Sequence, residues 1–270
     1  MKNENIYLTE FNQQKLKEYL NTIQLGRNFV YIESVDSTNT QAKLLAQQGA
    51  TNGTVVLAEH QTNGKGRLGR QWCSPKGAGL WFSILLRPQI SPMQISGITL
   101  VTGLAVCKAI RKYTKLNALI KWPNDVIIGN KKLCGILTEM SAKTDKIDYV
   151  VVGVGINVNT LEFDEEIAQK ATSLKKETGK TINREEFLTV VLGEIEECIS
   201  LYLSNPNNGI SKEYIQLCAT LGRQVTVSRG NNNIQGKAVT VTSSGDLVVE
   251  TNEGKPILVN SGEVIVQGIY

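Results

Sequence analysis

The sequence predicts an α+β fold, with a central mixed β-sheet flanked by helices over residues 1–220 and a small closed β-barrel over residues 221–270. Three observations carry this reading. An apolar share of 41% against 20% charged residues is enough to bury a sizeable core. Strand-like and helix-like segments are mixed without the strict alternation of a doubly wound fold. Beyond residue 220 the texture changes to short alternating strands separated by Gly, Asn and Ser turns, the pattern of a sheet that removes its edges by curling.

The elements follow in order. A helix is expected around Phe11 to Ile23, then a strand from Phe29 to Ser34, then a helix capped by Ser37 or Thr38 and ending at Gly49. Thr54 to Glu59 and Leu80 to Leu86 read as strands, and Ile95 to Tyr113 as a long helix. Strands are expected at Leu119 to Trp122, Val126 to Ile128, Cys134 to Met140 and Tyr149 to Val158, with Gly129-Asn130 as a tight turn. Helices at Arg184 to Leu203 and Lys212 to Ala219 precede the five barrel strands, which begin at Gln224, Gly236, Leu247, Ile257 and Glu263.

Several functional classes are disfavoured. The longest apolar run, Ile95 to Ile110, is interrupted by Ser96, Gly97, Thr99, Thr102, Gly103 and Lys108, so no membrane span is expected. Met1 to Leu20 has no signal-peptide core, and five cysteines without a C-x-x-C pair suit a reduced, cytoplasmic setting. His60 is the single histidine, which demotes both a histidine-rich metal centre and a Ser-His-Asp hydrolase.

The net charge of +4 is unevenly spread. Residues 60–124 hold no acid, where an even spread of 25 would place about six, and carry ten of the 29 basic residues, so an anionic ligand is expected there. Lys108, Arg111, Lys112 and Lys115 are more cheaply read as a basic helix end.

The sharpest segment is Gly64-Lys65-Gly66-Arg67-Leu68-Gly69-Arg70-Gln71-Trp72. It satisfies G-x-G-x-x-G, but position 89 is Gln and Trp72-Cys73-Ser74-Pro75 follows where a dinucleotide site requires a helix. What survives is a glycine loop able to approach an anion closely, with Lys65, Arg67 and Arg70 for charge and Trp72 to stack on a flat ring. Such a loop is expected to be mobile until an anion neutralises it.

Lys121-Trp122-Pro123-Asn124-Asp125 and Lys131-Lys132-Leu133-Cys134-Gly135 frame a hairpin that would aim Lys132 over a pocket. Gly153-Val154-Gly155-Ile156-Asn157 is a strand whose glycines mark close approach by a ligand or by another element. Ser37-Thr38-Asn39 alone reads as a helix cap.

In this order and spacing, the segments resemble the catalytic domain of biotin protein ligases over about residues 29 to 160, in a short form without an N-terminal DNA-binding domain. The resemblance implies a fold of the class II aminoacyl-tRNA synthetase and biotin ligase type with an SH3-like C-terminal barrel. It implies that Ser37, Thr38, Asn39 and Gln61 meet biotin, with Gly153 and Gly155 lining its pocket, and that Lys65, Gly66, Arg67 and Lys132 attend the carboxylate. Arg70, Trp72, Asn124, Asp125 and Asn157 would serve the nucleotide. Lys132, Arg67 and Lys121 would form the catalytic centre. ATP and Mg2+ are the implied co-substrates, biotin the substrate and a biotin carboxyl carrier domain of a carboxylase the partner, while the magnesium ligands stay unassigned.

Two departures from the family pattern stand out: Lys65 and Lys131 occupy positions that usually hold Arg, and loss of a bidentate fork at Lys65 predicts a looser grip on the activated intermediate. The nearest rival is a lipoate or octanoate ligase or transferase of related fold. A non-catalytic binding module and a DNA-binding repressor are the others, and only about 28 residues precede the first strand, too few for a winged helix, so no DNA binding is expected. The strand edges of the main sheet leave room for a homodimer.

Overall fold

A computed structural model describes residues 11–270 apart from 144–145, 207–209, 211, 230–231 and 261. The first ten residues of the Met1 to Leu20 stretch read above as lacking a signal-peptide core lie outside these described residues.

The main unit contains α1 (Gln13–Tyr19), β1 (Phe29–Val35), α2 (Thr38–Gln47), β2 (Val55–Gln61), β3 (Gly79–Leu86), α3 (Ile95–Thr114), β4 (Ala118–Lys121), β5 (Asp125–Ile128), β6 (Lys131–Lys143) and β7 (Lys146–Asn157). It continues through α4 (Glu165–Ala168), α5 (Leu174–Thr178), α6 (Arg184–Ser204) and α7 (Lys212–Leu217). Its seven strands run in the order β1-β2-β3-β7-β6-β5-β4, with β1 and β2 parallel and the other neighbours antiparallel, which makes the expected mixed sheet. The short helices α4 and α5 were not anticipated, because four and five residues are too few to establish a helical period.

Alternation in β3 explains how the sheet divides space. Leu80, Phe82, Ile84 and Leu86 belong to the large core with α3 and α6, whereas Leu85 joins Val56, Val151, Ala42 and Ala46 in a second cluster under α2. Ser83 shares that second face and is fully buried, a polar residue in an otherwise apolar strand. The apolarity of α3 reflects its core position: it packs on α6, β4, β5 and β6. At its start, Gly97 admits the ring of Tyr202, whose hydroxyl oxygen would stand 2.2 Å from a Cβ at position 97. The hydroxyl donates to the Gln94 carbonyl at 2.7 Å.

Beyond the main unit, β8 (Gln224–Arg229), β9 (Asn232–Val241), β10 (Leu247–Thr251), β11 (Pro256–Val259) and β12 (Glu263–Val266) form an antiparallel sheet in the order β11-β10-β9-β8-β12. The expected barrel is thus five strands joined by four ladders; among the described residues no ladder joins β11 to β12. This sheet rests on the main one through Trp122, whose indole donates to the Gly245 carbonyl at 3.0 Å. Residues 218–220 also cover the edge strand β4, since Ala219 N donates to the Ile120 carbonyl at 2.8 Å and Cys218 forms a parallel bridge with Ile120. At the other edge of the main sheet stands β1, which among the described residues pairs with β2 alone.

Candidate functional site

Register brings the glycines together. Gly153 is paired with Ser83 on one side and Leu137 on the other, while Gly155 stands between Trp81 and Gly135. The absent side chains at Gly153, Gly155 and Gly135 make room on the α2 face of the sheet for Asn39 and Trp72, and a small cleft of about 50 Å³ opens beside them. Ser37, Thr38, Asn39, Gln61, Lys65, Gly66, Arg67, Trp72, Asn124, Lys132, Gly153 and Gly155 all line it.

One wall is neutral and fully hydrogen-bonded. Asn39 fills the space above Gly153, where a Cβ would lie 2.2 Å from its Oδ1. The Ser83 hydroxyl donates to Asn39 Oδ1 at 2.6 Å, and its oxygen lies 2.8 Å from Thr38 Oγ1. Thr38 donates through its backbone N–H and hydroxyl to Gln61 Oε1, at 2.9 and 3.1 Å, and Gln61 Nε2 donates to Ser74 Oγ at 2.7 Å. Asn39 Nδ2 in turn reaches Glu139 Oε2 at 2.8 Å. Ser37 does occupy the N-cap position of α2, but its side chain makes no cap bond; the adjacent Thr38 N–H donates to Gln61 of β2. The expected cap position thus holds, without the side-chain bond that usually accompanies it.

The opposite wall is cationic. Strand β6 carries an extra residue against β5, since Val126 pairs with Cys134 and Ile127 with Lys132, and such a bulge aims the adjoining side chain. Lys132 Nζ donates to Asp125 Oδ1 at 2.7 Å and lies 5.3 Å from the centroid of the Trp72 ring. Residues 170–172 brace it from behind, with Lys132 N donating to the Lys170 carbonyl at 2.8 Å and Thr172 N to the Lys132 carbonyl at 2.9 Å.

Arg67 donates to Asn124 Oδ1 at 2.7 Å and to the Gly262 carbonyl at 3.1 Å. Burial pulls its guanidinium below the ordinary arginine range, an effect that Asp125 opposes. Lys65 Nζ donates to Thr40 Oγ1 at 2.9 Å. Within the loop, Gly66 N donates to the Arg70 carbonyl at 2.7 Å, and Leu68 takes a positive φ of 56°. Lys65 and Arg70 are exposed, whereas Arg67 is half-buried between Asn124 and the barrel.

The remaining expected site residues lie around this core. Arg70 is not part of the cleft lining and pairs with Glu263 on β12. Asp125 sits beneath Lys132 and accepts the Tyr270 hydroxyl through Oδ2. Lys121 is 7% exposed, with Nζ 3.6 Å from the Tyr270 ring centroid, and burial lowers its pKa to about 8 despite Asp125; Lys132 adds to the lowering. Asn157 is not brought to the lining: it is buried and its Nδ2 donates to the Thr172 carbonyl at 3.0 Å, which supports the segment behind Lys132. Lys108 and Lys112 pair with Glu194 of α6, as a basic helix surface would.

Sequence reasoning missed Ser83, Gly135, Glu139 and Tyr270. A serine inside Gly79-Leu80-Trp81-Phe82-Ser83-Ile84 and a third glycine at 135 were visible signals; Tyr270 reaches the site only through tertiary packing. Among the described residues no group of three or more His, Cys, Asp or Glu side chains is gathered as a metal cage. The carboxylate nearest the cleft, Asp125, has both oxygens engaged.

A mixed sheet whose glycine trough joins a neutral polar wall to lysine and arginine, with a small β-domain contributing to the cationic side, defines a ligase that handles a small carboxylic acid and a nucleotide. Sequence models agree: that of the biotin/lipoate A/B protein ligase family matches residues 31–157, and that of the biotin protein ligase C-terminal domain matches residues 220–266. The bifunctional ligase/repressor BirA of Bacillus subtilis is 34% identical over 247 residues, covering 91% of this chain and 76% of that protein. The biotin–[acetyl-CoA-carboxylase] ligase of Mycobacterium tuberculosis is 31% identical over 245 residues, with 88% and 89% covered. The Aquifex aeolicus biotin protein ligase, solved with biotin and ATP, superposes with a TM-score of 0.75 at 35% identity, covering 89% of this chain and 99% of that one. The chain belongs to the biotin protein ligase family.

Proposed function

We propose that this protein activates biotin with MgATP and transfers it to a lysine of a biotin carboxyl carrier domain. A biotin carboxylate oxygen attacks the α-phosphorus, the bond to the β-phosphate oxygen breaks, and biotinyl-5′-AMP and pyrophosphate form. The neutral carrier amine then attacks the acyl carbon, AMP departs with the mixed-anhydride oxygen, and the amine sheds a proton as the amide forms. Magnesium enters with the triphosphate as part of the substrate.

The observation that carries this reading is the division of one cleft into a neutral wall and a cationic wall. The ureido end of biotin is uncharged and needs paired donors and acceptors, which Thr38, Asn39 and Gln61 supply from a pre-bonded network over Gly153, with Ser37 and Gly155 beside them in the cleft. At the other end two anions must meet. Lys132 and Arg67 offset their repulsion and stabilise charge building on the phosphoryl oxygens, with Lys65 and Gly66 on the carboxylate side and Lys121 as a buried positive charge behind them. Trp72, Asn124 and Asp125 attend the nucleotide, Arg70 reaches its phosphates, and Asn157 serves it by holding residues 170–172.

The two units, 1–220 and 221–270, act on one substrate pair, a reading supported by the Arg67 bond to the Gly262 carbonyl. The test is biotin-dependent exchange of labelled pyrophosphate into ATP, followed by mass spectrometry of a carrier domain incubated with biotin and excess lipoate. Exchange and a biotin-sized mass gain on one lysine are expected. Exchange driven by lipoate and not by biotin would favour the lipoate ligase alternative, and silence with both a binding module.

A further inference from the structure

We propose that Tyr270, which follows β12, is a positioning residue of the adenylation centre: its hydroxyl fixes the Asp125 carboxylate so that Lys132 is held at the cleft with donors to spare. The inference rests on the ligase reading of that cleft. No feature of the sequence pointed to this residue.

The contacts form one chain from the small domain to the catalytic lysine. The Tyr270 hydroxyl donates to Asp125 Oδ2, and Asp125 Oδ1 accepts from Lys132 Nζ at 2.7 Å and from Asn124 Nδ2 at 3.1 Å. Tyr270 is itself placed by its backbone N–H, which donates to the Asn130 carbonyl in the β5–β6 turn at 3.0 Å, and by the neighbouring Ile269, which is buried. Its ring lies against the Lys121 ammonium, 3.6 Å from the centroid, where the π-face offsets part of the cost of burying that charge.

The consequence concerns donor counting. An ammonium has three N–H groups. With Asp125 Oδ2 occupied by Tyr270, only Oδ1 faces Lys132, and one N–H suffices for it. Two remain for substrate oxygens. Freed from the tyrosine, the carboxylate can rotate and offer both oxygens to the lysine, drawing the ammonium down from the cleft. Burial and the adjacent Asp125 push the Tyr270 phenol far above its ordinary range, so it remains a donor under all working conditions.

Tyr270→Phe keeps the ring over Lys121 and removes only the hydroxyl. Expected is a roughly tenfold lower kcat for biotin-dependent pyrophosphate exchange, with the KM for biotin and the Tm unchanged, since the loss falls on charge stabilisation in the transition state. If Tyr270 acts through Asp125, the losses in Tyr270→Phe and Asp125→Asn are not additive, and the double variant is no slower than Asp125→Asn. Exchange by Tyr270→Phe at the parental rate, a loss explained by a lower Tm, or losses that multiply in the double variant would overturn the inference. The parent is measured alongside: a silent parent sinks the ligase reading itself, whereas an active parent with an unaffected Tyr270→Phe sinks this inference alone.

Discussion

The indole of Trp72 occupies the space that a side chain at Gly155 would need: a Cβ there would lie 2.5 Å from Nε1. The same ring would meet a Cβ at Gly135 at 2.8 Å, so two glycines on adjacent strands form its seat. Gly155→Ala is therefore expected to lift Trp72 from the sheet. Since a misplacement of about 1 Å can cost on the order of 10²-fold, exchange should fall by about that factor, with the KM for MgATP raised. Steady-state kinetics with both substrates varied checks this, and an unchanged KM for MgATP would separate Trp72 from the nucleotide.

Lys132→Ala and Arg67→Ala remove two of the three cations that line the cleft. Each should lower adenylate formation by about 10²–10³-fold while weakening ATP binding far less, because the charge they stabilise develops in the transition state. Single-turnover measurements beside calorimetric ATP titration separate the two quantities. A variant that keeps its rate was misassigned.

Arg70 and Glu263 are 63% and 40% exposed, so their ion pair contributes under about 1 kcal/mol to stability. Arg70→Ala should leave the Tm within about 2 °C, a shift of that small size for a chain of this length. A raised KM for MgATP is expected, because the side chain is free to exchange Glu263 for phosphate. A large drop in Tm with normal kinetics would make Arg70 a structural clasp.

Lys65 donates to Thr40 through a single ammonium contact. Lys65→Arg restores a two-pronged donor and should slow dissociation of biotinyl-5′-AMP by about three- to tenfold, with little change in its formation rate. Release of radiolabelled intermediate from the purified complex measures this directly.

Lys121 gives the pH dependence. Its pKa is lowered by burial from 10.5 to about 8, so it sheds its proton in the folded protein well before it would in the unfolded chain. Between those values the unfolded state binds more protons. The cost of the buried charge is therefore present below about pH 8 and is relieved as pH rises. Activity runs the other way, since loss of this charge weakens the cationic wall. An alkaline limb near pH 8 is expected in the adenylation rate, and Lys121→Arg, which stays charged, should move it upward.

Much of this was legible in the sequence because it is local. The glycines and lysines of the loop and hairpin, the β-branched strands and the turn at Gly129-Asn130 identify themselves within a few residues. Ser37 reads as a cap locally and is one by position, but Gln61, the long-range partner of Thr38 beside it, comes from another strand. The loop's cations looked unpaired for the same reason: Arg67 and Arg70 find Gly262 and Glu263 nearly two hundred residues on. Asn157 carries the right chemistry for a ligand, yet its partner is the Thr172 carbonyl, at a turn no periodic pattern marks.

The central claim is that one set of cations draws the biotin carboxylate and the α-phosphate together. A crystal structure of the protein with biotin and a non-hydrolysable ATP analogue tests it most directly. The account predicts Lys132 Nζ and Arg67 within hydrogen-bond distance of both groups, with the biotin ring against Thr38 and Asn39. Finding either ligand elsewhere, with Lys132 still on Asp125 alone and the Arg67 loop turned to solvent, would contradict it.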